Sequence, residues 1–231
     1  MPRDEFAAWR GSLFNDLIAS RRVDTGGEQP VTVDELNLLY RITEAFDVMQ
    51  SLEPGDLSKT LLGIVEGGTG VGKSTVLEEV DLPVVEEHVD TNFWLASAAS
   101  PDLGVAKSAA FTAQLYFMVG RLHDLAGAFN DHTNIPGKVV ADRFLEGDKA
   151  YIDMRVEAGH ITPAEREILN ATRELLAPLV PPTENHRTVF LFCDEDQLER
   201  RIVERGREYE LGGNLPNQVG MQALTMVELG I

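Results

Sequence analysis

The chain has 231 residues, of which 43% are hydrophobic, and a formal net charge of −18. This length suits one domain with an appendage, and the apolar fraction predicts a folded core rather than general disorder. The negative charge argues against a broad electrostatic grip on nucleic acid or an anionic membrane. No apolar run approaches the roughly 18 residues that span a bilayer, and a single cysteine excludes an intrachain disulfide framework. We therefore expect a cytoplasmic protein whose partners are small molecules.

The first part of the chain predicts two amphipathic helices, at 4–22 and 32–50. In the second of them Leu36, Leu39, Ile42 and Phe46 recur close to helical spacing. We expect 1–58 to be an N-terminal helical extension, packed on the core or on a partner subunit, and 59–231 to be the main domain.

From residue 59 onward strand-like and helix-like segments alternate. Strands are predicted at 60–66, 83–87, 138–142 and 187–193, and helices at 72–80, 104–127, 145–158, 162–177 and 194–205. The last-but-one helix begins with the capping-box pattern Thr162-Pro163-Ala164-Glu165. The alternation predicts an α/β fold, a parallel sheet flanked by helices, with ligands bound beyond the carboxyl ends of the strands.

A phosphate-binding loop follows the first predicted strand and reads Gly67-Gly68-Thr69-Gly70-Val71-Gly72-Lys73-Ser74. Its glycines let the backbone curl so that N–H groups face a phosphate, and the helix N-terminus, which Thr75 continues, adds partial positive charge. In this motif the lysine reaches the β- and γ-phosphates and the serine hydroxyl binds Mg²⁺. The sequence therefore predicts that 67–75 bind ATP, or another nucleoside triphosphate, together with Mg²⁺.

Candidate chemical groups also follow the later strands. Glu87 could accept a proton from an attacking hydroxyl, although a solvated acid at a strand end would look the same. Asp142-Arg143 suits a Mg²⁺ shell and a transferring phosphoryl group, or equally a surface ion pair. Arg205-Gly206-Arg207 fits a lid that closes over phosphates, although helix C-termini favour cations anyway.

The long helix at 104–127 carries a core-facing stripe that includes Phe111, Leu115 and Met118. Gln114 lies off this stripe. Its amide has both a donor and an acceptor, as pairing with a base edge requires, and the alternative is an ordinary surface glutamine.

Together these segments resemble the deoxynucleoside kinase family, especially its bacterial deoxyadenosine/deoxyguanosine kinase branch, over residues 60–212. The segment 87–93 is similar to the family's E-P-V-D-x-N-P-F, whose glutamate takes the 5′-hydroxyl proton. The segment 142–148 is similar to [DE]-R-S-x-x-x-D, and 205–210 matches the lid R-x-R-x-x-E, whose glutamate holds the sugar 3′-hydroxyl. Gln114 with Arg121 resembles the helix that pairs with the base.

The resemblance implies ATP-dependent phosphorylation of the 5′-hydroxyl of a deoxynucleoside, with a purine or cytosine favoured, by a P-loop kinase that forms a homodimer. The residues implied in catalysis are Glu87, Lys73, Arg143, Arg205 and Arg207. Substrate contacts are implied for Glu87, Phe111, Gln114, Arg121, Arg143, Asp148 and Glu210. The Mg²⁺ ligands would be Ser74 and Asp142.

The chain departs from the family pattern at several places. His88 stands where the family has proline, no tyrosine occurs in 95–110 where the family keeps one for the 3′-hydroxyl, and Phe144 replaces a serine. The last change makes 142–144 resemble thymidylate kinases as well. Two alternatives therefore stay open: a nucleoside monophosphate kinase, and a nucleotide-binding regulator without catalytic activity.

Overall fold

The computed structural model describes residues 57–129, 137–207 and 210, and, ahead of them, residues 8, 11, 12, 37, 40, 41, 43–45, 47, 48 and 51. The helices predicted at 4–22 and 32–50 therefore lie largely outside the described residues. Within the described part, no helix is both long enough and apolar enough to pass through a bilayer.

The described strands form a parallel sheet in the order β2-β3-β1-β4. They are β1 (Leu61–Gly67), β2 (Val84–Val85), β3 (Lys138–Asp142) and β4 (His186–Leu191). β1 is central, and its register pairs Val65 with Asp142 of β3 and Gly67 with Leu191 of β4. Since the strands are parallel, their carboxyl ends meet at one edge of the sheet, where β1 passes into the phosphate loop.

The helices of the described part alternate with these strands. They are α1 (Lys73–Glu78), α2 (Leu95–Ala98), α3 (Leu103–Phe129), α4 (Leu145–Glu157), α5 (Pro163–Leu176) and α6 (Glu195–Arg205), with short 3₁₀ turns between some of them. The predicted capping box is confirmed, because Thr162 and Glu165 exchange side-chain to backbone hydrogen bonds at the start of α5. The predicted α/β fold is confirmed as a P-loop type sheet flanked by helices.

The main hydrophobic core is built around α3, whose buried residues face nearly every direction. Ala45, from the N-terminal segment, is fully buried in this core, and Arg41 donates a hydrogen bond to Tyr116 of α3 (3.4 Å). A second, smaller cluster joins Val71 of the phosphate loop to Leu198 and Ile202 of α6. The loop and the helix that leads into the predicted lid are thus packed against each other.

Candidate active site

The phosphate loop runs from the end of β1 into α1 and depends on glycines in the left-handed region. Gly70 and Gly72 have φ of 87° and 102°, and a side chain at Gly67 would place its Cβ 2.3 Å from the carbonyl oxygen of Leu191. Lys73 Nζ folds back over the loop and donates to the carbonyl oxygens of Gly67 (3.3 Å) and Gly68 (3.2 Å). Burial lowers the pKa of Lys73 to about 8, with a further contribution from Arg143.

Arg143 joins the phosphate loop to Glu87. Its guanidinium donates to the carbonyl oxygen of Gly67 (2.9 Å) and to Glu87 Oε1 (2.8 Å), and it lies 4.5 Å from the ring centroid of Tyr151. Burial raises the pKa of Glu87, but Arg143, Lys73 and Arg121 outweigh it and hold the pKa below its ordinary value. Glu87 is therefore an ionised carboxylate at neutral pH, beside the phosphate loop.

A buried polar cluster lies on the other side of Glu87. Asp148 of α4 accepts two hydrogen bonds from Arg121 (2.6 and 2.7 Å) and one from Gln114 Nε2 (3.1 Å). Gln114 is 7% exposed and Arg121 1%, so both project from the buried helix α3 rather than from a surface. The second hydrogen of the amide and Gln114 Oε1 remain available for a ligand, because the described residues engage only one N–H of this side chain.

Asp142 and Ser74, the predicted Mg²⁺ ligands, both line a cavity beside the phosphate loop. Asp142 Oδ1 is buried without a hydrogen-bond partner and lies 4.0 Å from Lys73 Nζ. Burial raises the pKa of Asp142, as does Glu87, so an added cation would favour its ionised form. No cluster of three or more metal-binding side chains occurs among the described residues. Because Mg²⁺ at nucleotide sites takes most of its ligands from phosphates and water, these two side chains fit the ion.

The predicted lid follows α6, which ends at Gly206 in the left-handed conformation. Arg205 contacts Glu210, and Arg207 reaches both Asp90 (2.8 Å) and Glu210 (3.6 Å). Glu210 is only 3% exposed, whereas the Asp90 side chain is 82% exposed. Arg205 is thus held by a buried carboxylate, and Arg207 by that carboxylate and an exposed one.

One cavity of about 750 Å³ collects most of the predicted site residues. Its walls include Thr69, Gly70, Lys73, Ser74, Glu87, Gln114, Asp142, Arg143, Asp148, Arg205, Arg207 and Glu210. The predicted residues outside its walls are Gly67, Gly68, Val71, Gly72, Thr75, Phe111 and Arg121. Phe111 belongs to the hydrophobic core, and Arg121 reaches the site through Asp148 and Glu87.

Three further residues in or near the walls were not found by sequence analysis. Tyr151 and Arg155 follow Asp148 at helical spacing on α4 and line the cavity, and this spacing is a signal that could have identified them. Glu66 precedes the loop, and burial raises its pKa to about 7. A single acidic residue at the end of an otherwise apolar strand is the sequence signal that could have identified Glu66.

His88, which replaces the family's proline, contacts Asp124 of α3. It adopts the left-handed conformation (φ 55°), and its Nε2 lies 2.8 Å from Asp124 Oδ2 on α3. Asp124 also accepts a hydrogen bond from the backbone N–H of Glu86 (3.2 Å). Burial opposes ionisation, yet the contacts with His123, His88 and Glu86 hold the pKa of Asp124 well below its ordinary value. This ionised carboxylate therefore fastens both residues that flank Glu87.

Comparison with known proteins identifies the family. The model of the deoxynucleoside kinase family matches residues 64–217. A deoxyadenosine kinase from M. mycoides, solved with bound dATP, superposes with a TM-score of 0.56 at 18% identity, over 74% of this chain and 86% of that chain. The same kinase with the products dCMP and a flexible dCDP gives a TM-score of 0.53 at 17% identity, over 73% and 83%. A search of curated proteins found no match.

The solved structures support the fold, and the family model covers most of the chain, including the loop, Glu87, the α4 motif and the lid. The resemblance seen in the sequence is thereby confirmed. The chain belongs to the deoxynucleoside kinase family and is a phosphotransferase.

Proposed function

We propose that the protein transfers the γ-phosphoryl group of ATP to the 5′-hydroxyl of a deoxynucleoside, with a purine or cytosine base favoured. The observation that carries this proposal is the link through Arg143, whose guanidinium contacts both Glu87 (2.8 Å) and the phosphate loop at Gly67 (2.9 Å). The carboxylate proposed as proton acceptor and the loop proposed to bind the triphosphate thus line one cavity. Transfer of a phosphoryl group to a hydroxyl requires this proximity.

The donor half of the site would hold the triphosphate with groups that now contact the protein itself. The contacts of Lys73 Nζ with two loop carbonyls, at 3.2 and 3.3 Å, are weak enough to be exchanged for the β- and γ-phosphates. Arg205 and Arg207 would close over the phosphates by leaving their carboxylate partners. Mg²⁺ held by Ser74 and Asp142 would neutralise phosphate charge. Lys73, Arg143 and the lid arginines would spread the remaining transition-state charge.

In the acceptor half, Glu87 would be the general base. Both arginines that contact this carboxylate lie against Oε1, Arg143 at 2.8 Å and Arg121 at 3.5 Å. The other oxygen, Oε2, is therefore the atom available to accept the proton of the 5′-hydroxyl. Since the carboxylate is already ionised at neutral pH, no prior deprotonation is needed.

The nucleoside would be recognised at its base and at its sugar. Asp148 fixes the amide of Gln114 through Nε2, which leaves one N–H donor and the Oε1 acceptor for a base edge. Adenine, guanine and cytosine each present an adjacent donor and acceptor that match this pair. Glu210 would accept a hydrogen bond from the sugar 3′-hydroxyl after its arginines move to the phosphates.

The proposal is tested by incubating the purified protein with ATP and, separately, each of the common deoxynucleosides and each of their 5′-monophosphates. We expect turnover of at least one purine deoxynucleoside or deoxycytidine, with little turnover of monophosphates. Turnover of monophosphates alone would instead identify a nucleoside monophosphate kinase. Tight ATP binding without transfer to any acceptor would identify a regulator.

A further inference from the structure

Arg155 on α4 is a cation that the proposed mechanism does not use. It lines the cavity, together with its neighbour Met154. Its Nη1 donates to the backbone carbonyl of Ala98 and contacts His160 Nδ1 (3.1 Å). Among the described residues no carboxylate pairs with it, although each of the other arginines in the cavity walls contacts one. Charged groups that are removed from water are normally paired, so this exception indicates a ligand contact.

The described groups around Arg155 offer its guanidinium no carboxylate. Burial lowers its pKa, and Tyr151 opposes this effect. His160 adds no competing charge, because burial and Arg155 lower the pKa of that imidazole.

On α4, Arg155 lies on the same face as Asp148, whose carboxylate accepts a hydrogen bond from the proposed base-reading amide of Gln114. It follows Asp148 by two helical turns, roughly 10 Å along the axis, and helical side chains lean back toward the preceding turn. The cavity is also lined by Ala98, Ala99, Ala110 and Ala113, whose small side chains leave room for a two-ring base, and the carbonyl of Ala98 is the one that Arg155 contacts. Nη2 and Nε make no hydrogen bond with the described residues, so they can donate to a ligand.

We propose that Arg155 determines base specificity by donating hydrogen bonds to the carbonyl oxygen of a 6-oxopurine, so that guanine and hypoxanthine are preferred to adenine. The Gln114 amide cannot make this choice, because it offers one donor and one acceptor and suits either purine. A guanidinium has donors only, so it pairs with O6 and N7 and opposes the amino group of adenine. This inference rests on the proposed deoxynucleoside kinase activity.

The test compares deoxyinosine, purine 2′-deoxyriboside and deoxyadenosine, which share a sugar and differ at C6 of the base. With the wild-type protein we expect kcat/KM for deoxyinosine to exceed that for the other two by about ten- to a hundredfold. In Arg155→Met this preference should fall to about twofold or less, whereas Arg155→Lys should retain part of it. Arg187→Met is the matched control, because Arg187 also donates to backbone carbonyls but lies outside the cavity walls.

Several results would overturn the inference. One is a wild-type enzyme that phosphorylates these nucleosides without preferring deoxyinosine. This measurement needs no variant, so it tests the inference even if none of the variants folds. Another is an equal loss for all three substrates in Arg155→Met, which would show that Arg155 only fastens α2 through Ala98. A third is a loss of kcat/KM in Arg155→Met that occurs with deoxyinosine but not with 2′,3′-dideoxyinosine. This result would place the contact at the 3′-hydroxyl. Failure of the wild-type protein to phosphorylate any deoxynucleoside would instead refute the proposed function.

Discussion

The backbone adopts an uncommon conformation at Arg143 and at the residue that follows Glu87. Arg143 is left-handed (φ 60°), and so is His88 (φ 55°), which directly follows Glu87. Left-handed backbone is uncommon outside glycine, and in the described part of the chain these are the two non-glycine residues that adopt it. Both flank the proposed reaction centre, where backbone strain is often kept because the geometry matters.

Replacement of Glu87 by glutamine tests the proposed base. Glu87→Gln should lower kcat by about 10²–10⁴-fold, because an amide cannot accept the proton of the 5′-hydroxyl. The measurement is steady-state turnover with the best deoxynucleoside, and Glu167→Gln on the exposed face of α5 is the control. Turnover close to that of the wild type would remove Glu87 from the role of base.

Glu66 makes a prediction about pH and stability. Burial raises its pKa from 4.5 to about 7 in the folded state, despite Arg143 and the N–H of Phe144. Between these two values the folded protein binds more protons than the unfolded chain, so stability falls as pH rises through this window. The loss is at most about 3 kcal/mol.

Glu66→Gln should remove most of this dependence, because the amide cannot ionise and its oxygen can still accept from Phe144 N–H. Urea unfolding at about pH 5 and about pH 8 measures the difference. At the higher pH the variant should be more stable than the wild type by up to about 3 kcal/mol. An unchanged slope in the variant would mean that another group is responsible.

At the scale of the elements, the strand positions follow from the sequence but some of their ends do not. β2 is shorter than the predicted 83–87 because the backbone N–H of Glu86 bonds to Asp124 instead of to a neighbouring strand. β4 ends at Leu191 rather than at 193, since its partner β1 turns away into the phosphate loop after Gly67. Both differences arise from tertiary contacts that no local pattern contains.

The site residues, like the strand ends, divide into those that can be predicted from the sequence and those that depend on tertiary contacts. The phosphate loop and the lid are predictable because each is contiguous in sequence. Gln114 is harder to assign, since α3 is buried on nearly all sides and a helical period then distinguishes no single functional face. The pairing of Glu87 with Arg143 joins residues that follow β2 and β3, and the lack of a carboxylate beside Arg155 is visible only once the helices are packed.

The contact between α3 and the loop after β2 makes a prediction about Gly120. A Cβ at this position would lie 2.8 Å from His88 Cδ2, so Gly120→Ala should displace the residue next to Glu87. We expect kcat to fall by about tenfold and the free energy of unfolding by about 1–3 kcal/mol.

Gly127→Ala on the same helix is the control, because no atom of the described residues, apart from the adjoining backbone of the helix itself, lies within 4 Å of a Cβ at that position. It should leave kcat unchanged and stabilise the protein by about 0.5–1 kcal/mol, the usual gain from replacing a helical glycine. Equal kinetics for the two variants would show that His88 does not position Glu87.

For the whole molecule, 38 acidic side chains outnumber 20 basic ones, and the formal net charge is −18. Mutual repulsion of so many like charges destabilises the compact state, and salt screens it. Raising NaCl from about 0.05 M to about 0.5 M should therefore raise the melting temperature, by about 2–4 °C for each kcal/mol gained. A melting temperature that falls with salt would show that attractive surface pairs dominate.

The proposed reaction also predicts which of two competing acceptors is phosphorylated first. The most direct measurement mixes ATP with equal amounts of one deoxynucleoside and its 5′-monophosphate and follows the products over time. If Glu87 serves a hydroxyl beside the phosphate loop, the deoxynucleoside is consumed and monophosphate accumulates before any diphosphate forms. Accumulation of diphosphate while the deoxynucleoside persists would contradict the proposed reaction.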